Sequence, residues 1–341
     1  MNLPRQPFNQ RNGLARRAVM AGLAGAAVFA VLQTPAAAQQ DVDSYPNRPV
    51  RIYVPFGAGG VGDLTMRLVA QKLQEDTGQQ FVIENRPGAG GSTAMKAVLS
   101  APADGYSLGV TGNGQAIAMT LFKSRSYDVL KDFAQVSVTG TFEMLLAVKQ
   151  DSPFKTINDV LDYARKNPGK MNIGAINPGS TQNLSAHLFK QTTGVDVAII
   201  PHKTTPELLT AILRNDIQLG FDFYAGFQGG IADKQIRIIA TSGEQRNPLL
   251  KDVPTAVESG LPEYVVTSWN ALATRAGTPD PIVRKLNGLI GKALQDPGLK
   301  EKALKLGIEA RGSTPEEMTQ RMTRDIAKWR AVIEKANIAV Q

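Results

Sequence analysis

The chain has 341 residues, no cysteine, two histidines and a formal net charge of +8. Hydrophobic residues at 43% and charged residues at 20% fit a packed protein of about two domains. Without cysteine there are no disulfides, thiol nucleophiles, or iron–sulfur or cysteine-ligated zinc centres. With His187 and His202 as the two histidines, a site of two or three histidines is not expected, and neither a metal nor a cofactor is expected.

Half of the positive excess sits in Arg5, Arg11, Arg16 and Arg17, within residues 1–38, which hold no acid. The remainder is spread thinly, with no Lys/Arg run interleaved with aromatics, so nucleic acid is not an expected partner. Arg16-Arg17, the fifteen-residue apolar run Ala18–Leu32 and the stretch Ala36-Ala37-Ala38 follow the order of a secretory signal peptide. That run is shorter than the ~20 residues of a membrane-spanning helix. Residues 1–38 are therefore expected to be a leader cleaved after about Ala38, giving an exported, periplasmic chain. Both export routes stay open, because the arginine pair also opens a twin-arginine signal.

After the leader, Val50–Pro55 reads as a strand ending in Phe56-Gly57-Ala58-Gly59-Gly60. Leu64, Leu68, Val69 and Leu73 then fall at helical spacing until Thr77-Gly78. Phe81–Ile83 is a second strand, ending in Glu84-Asn85-Arg86-Pro87-Gly88-Ala89-Gly90-Gly91, and Ser92–Ser100 a second helix. A strand over Ser107–Thr111 and a helix over Gln115–Phe122 complete the unit, as expected of βαβ units with a parallel sheet.

The pattern restarts after Asp151, with helices over Thr156–Asn167, Thr181–Thr193 and Pro206–Asn215. Between and after them lie strands over Met171–Ala175, Val197–Pro201, Gln218–Phe223 and Ile236–Thr241. The β-rich segments Glu143–Lys149 and Tyr264–Thr274 flank this second unit and are its natural crossovers. Two crossings place a domain over residues 145–265 inside one built from 45–144 plus 266–341. The C-terminal return is helical: Ile282 to Leu294 carries an apolar stripe. Thr314-Pro315-Glu316-Glu317 supplies an N-cap, a proline at the first helical position and a capping-box acid.

Gly57-Ala58-Gly59-Gly60-Val61-Gly62 fits G-x-G-x-x-G between a strand and a helix, and Glu84 lies where a dinucleotide fold places its ribose-binding acid. Against that reading stand the leader and a second glycine loop where a dinucleotide fold needs none. The second reading uses both loops together. A glycine turn at a helix N-terminus presents backbone N–H groups and the positive end of the helix dipole, so two such turns can hold a carboxylate without an arginine. Asp63 is expected to cap the helix after the first loop rather than to face an anion.

At these residues the sequence resembles the Bug-type extracytoplasmic receptors, the solute-binding component of tripartite tricarboxylate transporters. The resemblance rests on PFGAGGVGD (55–63), ENRPGAGG (84–91), PADGYSL (102–108), IPHKT (200–204), DVPTAVESG (252–260) and the stretch Trp269 to Pro279. It implies an α/β, type II periplasmic-binding-protein-like Venus flytrap, two α/β domains joined by two crossover strands. It also implies a small mono-, di- or aromatic carboxylate as ligand and transporter membrane subunits as partners, with the receptor acting as a monomer. By the resemblance, one carboxylate is gripped by Phe56, Gly57, Ala58, Gly59 and Gly60 together with Ala89, Gly90, Gly91 and Ser92. The far end of the ligand meets Ser180, Thr181, Asn183, His202 and Asp222. Where the family usually has VPYKG, this chain reads Ile200-Pro201-His202-Lys203-Thr204.

The rival class is an exported α/β enzyme, a hydrolase or a dinucleotide-dependent oxidoreductase. The sequence has no G-x-S-x-G, no H-E-x-x-H and no P-loop lysine. An Asp222–His202–Ser180 relay is the nucleophile constellation that the composition leaves open.

Overall fold

The computed structural model describes residues 42–177 and 179–340. The expected leader and its cleavage position lie outside the described residues. The part from Ser44 onward forms one compact unit.

Its chain order opens with β1 (Val50–Val54), α1 (Val61–Thr77), β2 (Phe81–Asn85), α2 (Ser92–Leu99), β3 (Ser107–Gly112) and α3 (Asn113–Leu121). A long strand, β4 (Phe133–Lys149), leads to α4 (Ile157–Lys166), β5 (Met171–Ile176), α5 (Thr181–Thr193), β6 (Val197–His202) and α6 (Thr205–Leu213). Next come β7 (Leu219–Phe223), α7 (Tyr224–Ala232), β8 (Ile236–Thr241) and β9 (Thr267–Arg275). Helices α8 (Asp280–Ala293), α9 (Pro297–Lys305) and α10 (Pro315–Lys335) finish the chain.

β1 pairs in parallel with β2 and β3, and β3 pairs antiparallel with β9, which in turn pairs with the first part of β4. That is the first sheet. In the second, β5 lies parallel to β6 and β7, and the last part of β4 runs antiparallel between β7 and β8. The hand-over is abrupt: Glu143 still pairs with Thr267, whereas Met144 already pairs with Phe223. β4 thus belongs to both sheets, and the strand order β2-β1-β3-β9-β4-β7-β5-β6 is continuous through it.

The return enters beside it, where the Val266 N–H donates to the Ser242 carbonyl (2.9 Å). β9 starts three residues later than Tyr264 and pairs only within the first sheet. β4 itself starts at Phe133, earlier than the expected Glu143, and absorbs two bulges against β9, between Gln135 and Ser137 and between Val138 and Gly140, and a third against β8, between Leu146 and Ala147.

Local chemistry explains most of the remaining boundaries. The capping box at Thr314/Glu317 forms in both directions, and a second one forms at Thr156/Asp159. α1 stops on Gly78 and α5 on Gly194, both left-handed. Leu286, Ile290, Met318, Met322, Trp329 and Ile333 are buried, so the C-terminal stripes are packing surface. No described helix is long and apolar enough to cross a membrane.

Candidate functional site

The parallel strands of each sheet deliver their connections to one end, where ligands of open α/β sheets bind. In the first sheet, α1, α2 and α3 begin on Gly60, Gly91 and Gly112, and none receives a side-chain cap. In the second sheet α5 and α6, which follow β5 and β6, are capped by Ser180 and Thr204, each accepting from the backbone N–H three residues on, whereas α7, after β7, starts on Phe223 without a side-chain cap. Thr156 caps α4 at the opposite end, after the antiparallel β4.

The three uncapped starts lie against one another. A Cβ on Gly91 would stand 2.7 Å from Gln115 Nε2 and 3.3 Å from Pro55, so the turn after β2 touches both the turn after β1 and the start of α3. Gly91 (φ 91°) and Gly90 (φ 60°) are left-handed, and a Cβ on Gly90 would collide with the Phe122 ring. The half-buried Phe56 ring lies 2.5 Å from where a Gly62 Cβ would be and 3.9 Å from that of Gly114. Gly57, Ala58, Gly59 and Gly60 are exposed, as is Gly90; Ala89 opens the short 3₁₀ turn and Ser92, half-buried, is the first residue of α2.

Asp63 is buried at the third position of α1 and turned back into the loop, but the backbone N–H it bonds is that of Gly59, outside the helix, so it fixes the turn and does not cap α1 as the sequence suggested. It accepts from the Gly59 N–H (2.8 Å), Arg67 Nε (2.9 Å) and Asn85 Nδ2 (2.8 Å). Burial opposes its ionisation, but bonds from Arg67, Gly59 and Asn85 outweigh that and hold the carboxyl below the ordinary Asp range. Asn85 Nδ2 also donates to the Phe56 carbonyl (3.1 Å), which ties the end of β2 to the turn after β1. The network fixes the loop and consumes the Gly59 amide.

On the second sheet most of the candidate side chains are already engaged. Ser180 accepts from the Asn183 N–H (3.1 Å) and donates to the Ile176 carbonyl (2.5 Å), while Asn183 Oδ1 accepts from the Gly179 N–H (3.3 Å). Asp222, 2% exposed, accepts from Gln182 Nε2 (3.1 Å), the Thr205 hydroxyl (2.5 Å) and the Phe223 N–H (2.8 Å). Burial pushes its pKa up despite those three bonds. The ring of His202 packs against β5, 3.3 Å from where a Gly174 Cβ would lie, and its buried Nδ1 has no partner among the described residues. Thr181, buried, starts α5. With Ser180 bonded to Ile176 and Asp222 to Gln182 and Thr205, the three members of the conceivable relay are not connected.

The end of α3 brings the two sets of turns together. Gly179 lies against Leu121 as Gly90 lies against Phe122, and in neither place is there room for a Cβ. Phe223 meets Phe142 edge to face at 4.8 Å, closing the same region against β4.

Two residues enter the site that the sequence reading does not include. Gln115, 1% exposed, has an unpartnered Oε1, and Asn113, 3% exposed, has an unpartnered Nδ2 while its Oδ1 accepts from Trp329 (3.1 Å). Their signal was positional: Gly112-Asn113-Gly114-Gln115 occupies the third strand-to-helix turn of the same sheet. Among the described residues, no group of three or more His, Asp or Glu could hold a metal.

Residues 65–338 match the profile of the tripartite tricarboxylate transporter family receptor. Protein BugT of Bordetella pertussis is 30% identical over 306 residues, which cover 88% of this chain and 92% of its own. Among solved structures, R. palustris Rpa4515 with adipate aligns with a TM-score of 0.76 at 33% identity over 86% of this chain and 99% of that one. MatC (Rpa3494) from Rhodopseudomonas palustris with bound malate aligns at 0.71 and 29% identity over 85% and 100%. The two sheets sharing β4 are accordingly a type II periplasmic-binding-protein-like fold, and the chain belongs to the tripartite tricarboxylate transporter family of receptors.

Proposed function

We propose that this chain is a periplasmic receptor that captures a small organic carboxylate and delivers it to the membrane subunits of a tripartite tricarboxylate-type transporter. It acts as a monomer, and nothing is turned over. One observation carries the reading: three helices of the first sheet start on glycines without side-chain caps, and their turns are packed together. Helix starts left open in this way offer amides and dipole ends to an anion, each worth roughly 0.3–1 kcal/mol when exposed and up to ~2 when partly buried. The names of two similar structures, one with adipate and one with malate, favour a dicarboxylate.

In this reading residues 45–144 and 266–341 form one lobe and 145–265 the other, closing about the two crossings. Phe56, Gly57, Ala58, Gly60, Ala89, Gly90, Gly91 and Ser92 hold the first carboxylate, with Gly59 shaping the turn through Asp63. Thr181 and His202 meet the far end, and Ser180, Asn183 and Asp222 hold the turns that present them. The ligand stabilises the closed form by its differential affinity. At 100 times its dissociation constant a true ligand adds about 2.7 kcal/mol to the unfolding free energy. A thermal-shift screen of mono-, di- and aromatic carboxylates should reveal such a ligand; a screen without any stabilising compound contradicts the proposal.

A further inference from the structure

A second cavity, of about 630 Å³, lies beside the crossing of β4, and none of the carboxylate turns lines it. Its walls come from Val138 to Glu143 of β4, Thr267 of β9, the loop after β8, and the stretch leading into α10. The volume is within the roughly 300–1,000 Å³ of small-molecule sites. Four arginines line it, Arg246 and the trio Arg311, Arg321 and Arg324. Among the described residues none of the three is in an ion pair, unlike Arg246 on the same wall, which binds Glu258 at 2.9 Å.

Arg321 is half-buried, its guanidinium 5.2 Å over the Trp269 ring, and it donates to the Thr267 carbonyl (3.4 Å). Burial pulls its pKa down, and Asp325 and Glu309 counter this while Arg324 and Arg311 add to it. The same walls carry two carboxylates. Glu143 accepts from the Gly243 N–H (2.7 Å), and Glu309 accepts from the Thr141 hydroxyl (3.2 Å). Glu309 is the neighbour common to both groups: it acts on Arg321 and also raises the pKa of Glu143, which burial raises most. The other acids on the wall are the exposed Glu244 and Glu317, whose carboxylate caps α10.

A pure anion drawn to the arginines meets Glu143 and Glu309, and a pure cation meets the arginines. A molecule carrying both charges answers both. We propose that this cavity is a second ligand site, specific for a small zwitterion, with its carboxylate on Arg311, Arg321 and Arg324 and its ammonium between Glu143 and Glu309. Because the walls include both crossing segments, such a ligand touches the hinge rather than the mouth of the molecule.

The test is calorimetric titration of the leaderless chain with L-alanine and with γ-aminobutyrate, with succinate as the parallel dianion. At least one zwitterion is expected to bind the native chain and Gly90→Val alike. Its affinity should fall by roughly tenfold or more in Arg321→Met and in Glu143→Gln, the cost of a charge-assisted hydrogen bond. Arg324→Gln alters an exposed residue, so it keeps the test open if Arg321→Met does not fold. Absence of heat from both zwitterions overturns the proposal. So does binding that survives Arg321→Met and Arg324→Gln, or that disappears in Gly90→Val. Succinate reads the carboxylate turns separately, being sensitive to Gly90→Val and indifferent to Arg324→Gln.

Discussion

Most helix starts of the two sheets are built differently, the exception being α7, which starts on Phe223 without a side-chain cap. In the second sheet Thr156, Ser180 and Thr204 spend their hydroxyls on the first turns of α4, α5 and α6. In the first, Gly60, Gly91 and Gly112 leave the corresponding amides without such a partner. A side-chain cap is worth about 1 kcal/mol, so the first sheet forgoes stability that the second collects. The difference holds at the turns after β5 and β6 and not after β7, and it fits the proposed reading in which one half keeps donors available for a ligand and the other holds most of its turns rigid.

The largest test of this contrast is Gly90→Val. The left-handed backbone and the Phe122 ring leave no place for the side chain, so carboxylate affinity should fall below detection while the circular dichroism spectrum stays native. Retained affinity in a calorimetric titration would remove the glycine turn from the site.

Asp222→Ala comes next. It orphans the donors of Gln182, Thr205 and Phe223 and should cost about 3 kcal/mol in chemical denaturation. Asp222→Asn should cost less and change the pH dependence. Because burial raises the Asp222 pKa, the native state holds a proton that the unfolded chain releases. This group therefore favours folding most below the ordinary Asp range of about 3.9, and that advantage is lost as the pH rises through the raised value. The stability of Asp222→Asn relative to the native chain should consequently increase with pH; a flat difference would mean that the carboxylate is not destabilised by its burial.

Ser180→Ala removes a cap and should cost about 1 kcal/mol of stability in a thermal melt. Smallest in stability is Gly60→Ser, at an extended position whose Cβ would meet only the Gly57 carbonyl, at 3.8 Å. It should stabilise the fold by a few tenths of a kcal/mol while weakening carboxylate binding, because the new hydroxyl takes an amide meant for the ligand. Unchanged binding would show that α1 contributes no donor.

Where local rules decide the structure, the sequence was readable. The strand–glycine–helix turns, the Thr314 capping box and the alternation of strands and helices follow from pattern alone. β4 was half legible. Its first part, FAQVSVTGTFE, mixes Ser, Thr and Gly into a strand buried on both faces, and it carries two bulges, so neither alternation nor an apolar run marks it. α7 reads YAGFQGGIA, and its three glycines conceal a helix that tertiary contacts impose.

In the site, spacing located the turns but not how each side chain is used. Asp222 could have faced the ligand; instead Gln182 and Thr205, residues from two other elements, claim it. Gln115 and Asn113 lie in a turn whose glycines draw less notice than the two before it, and only packing against Gly91 and Trp329 reveals their place.

The pairing of β9 has a consequence for the order in which the molecule can be made. Gly112 and Gly140 both find their partner in Asn270, so β3 and the first part of β4 wait for a strand synthesised much later. Trp329 then has to arrive before Asn113 gains its bond. Closing so long a loop is slow, because the chain entropy is lost before the contacts form. A chain still emerging from the ribosome therefore cannot finish its first sheet.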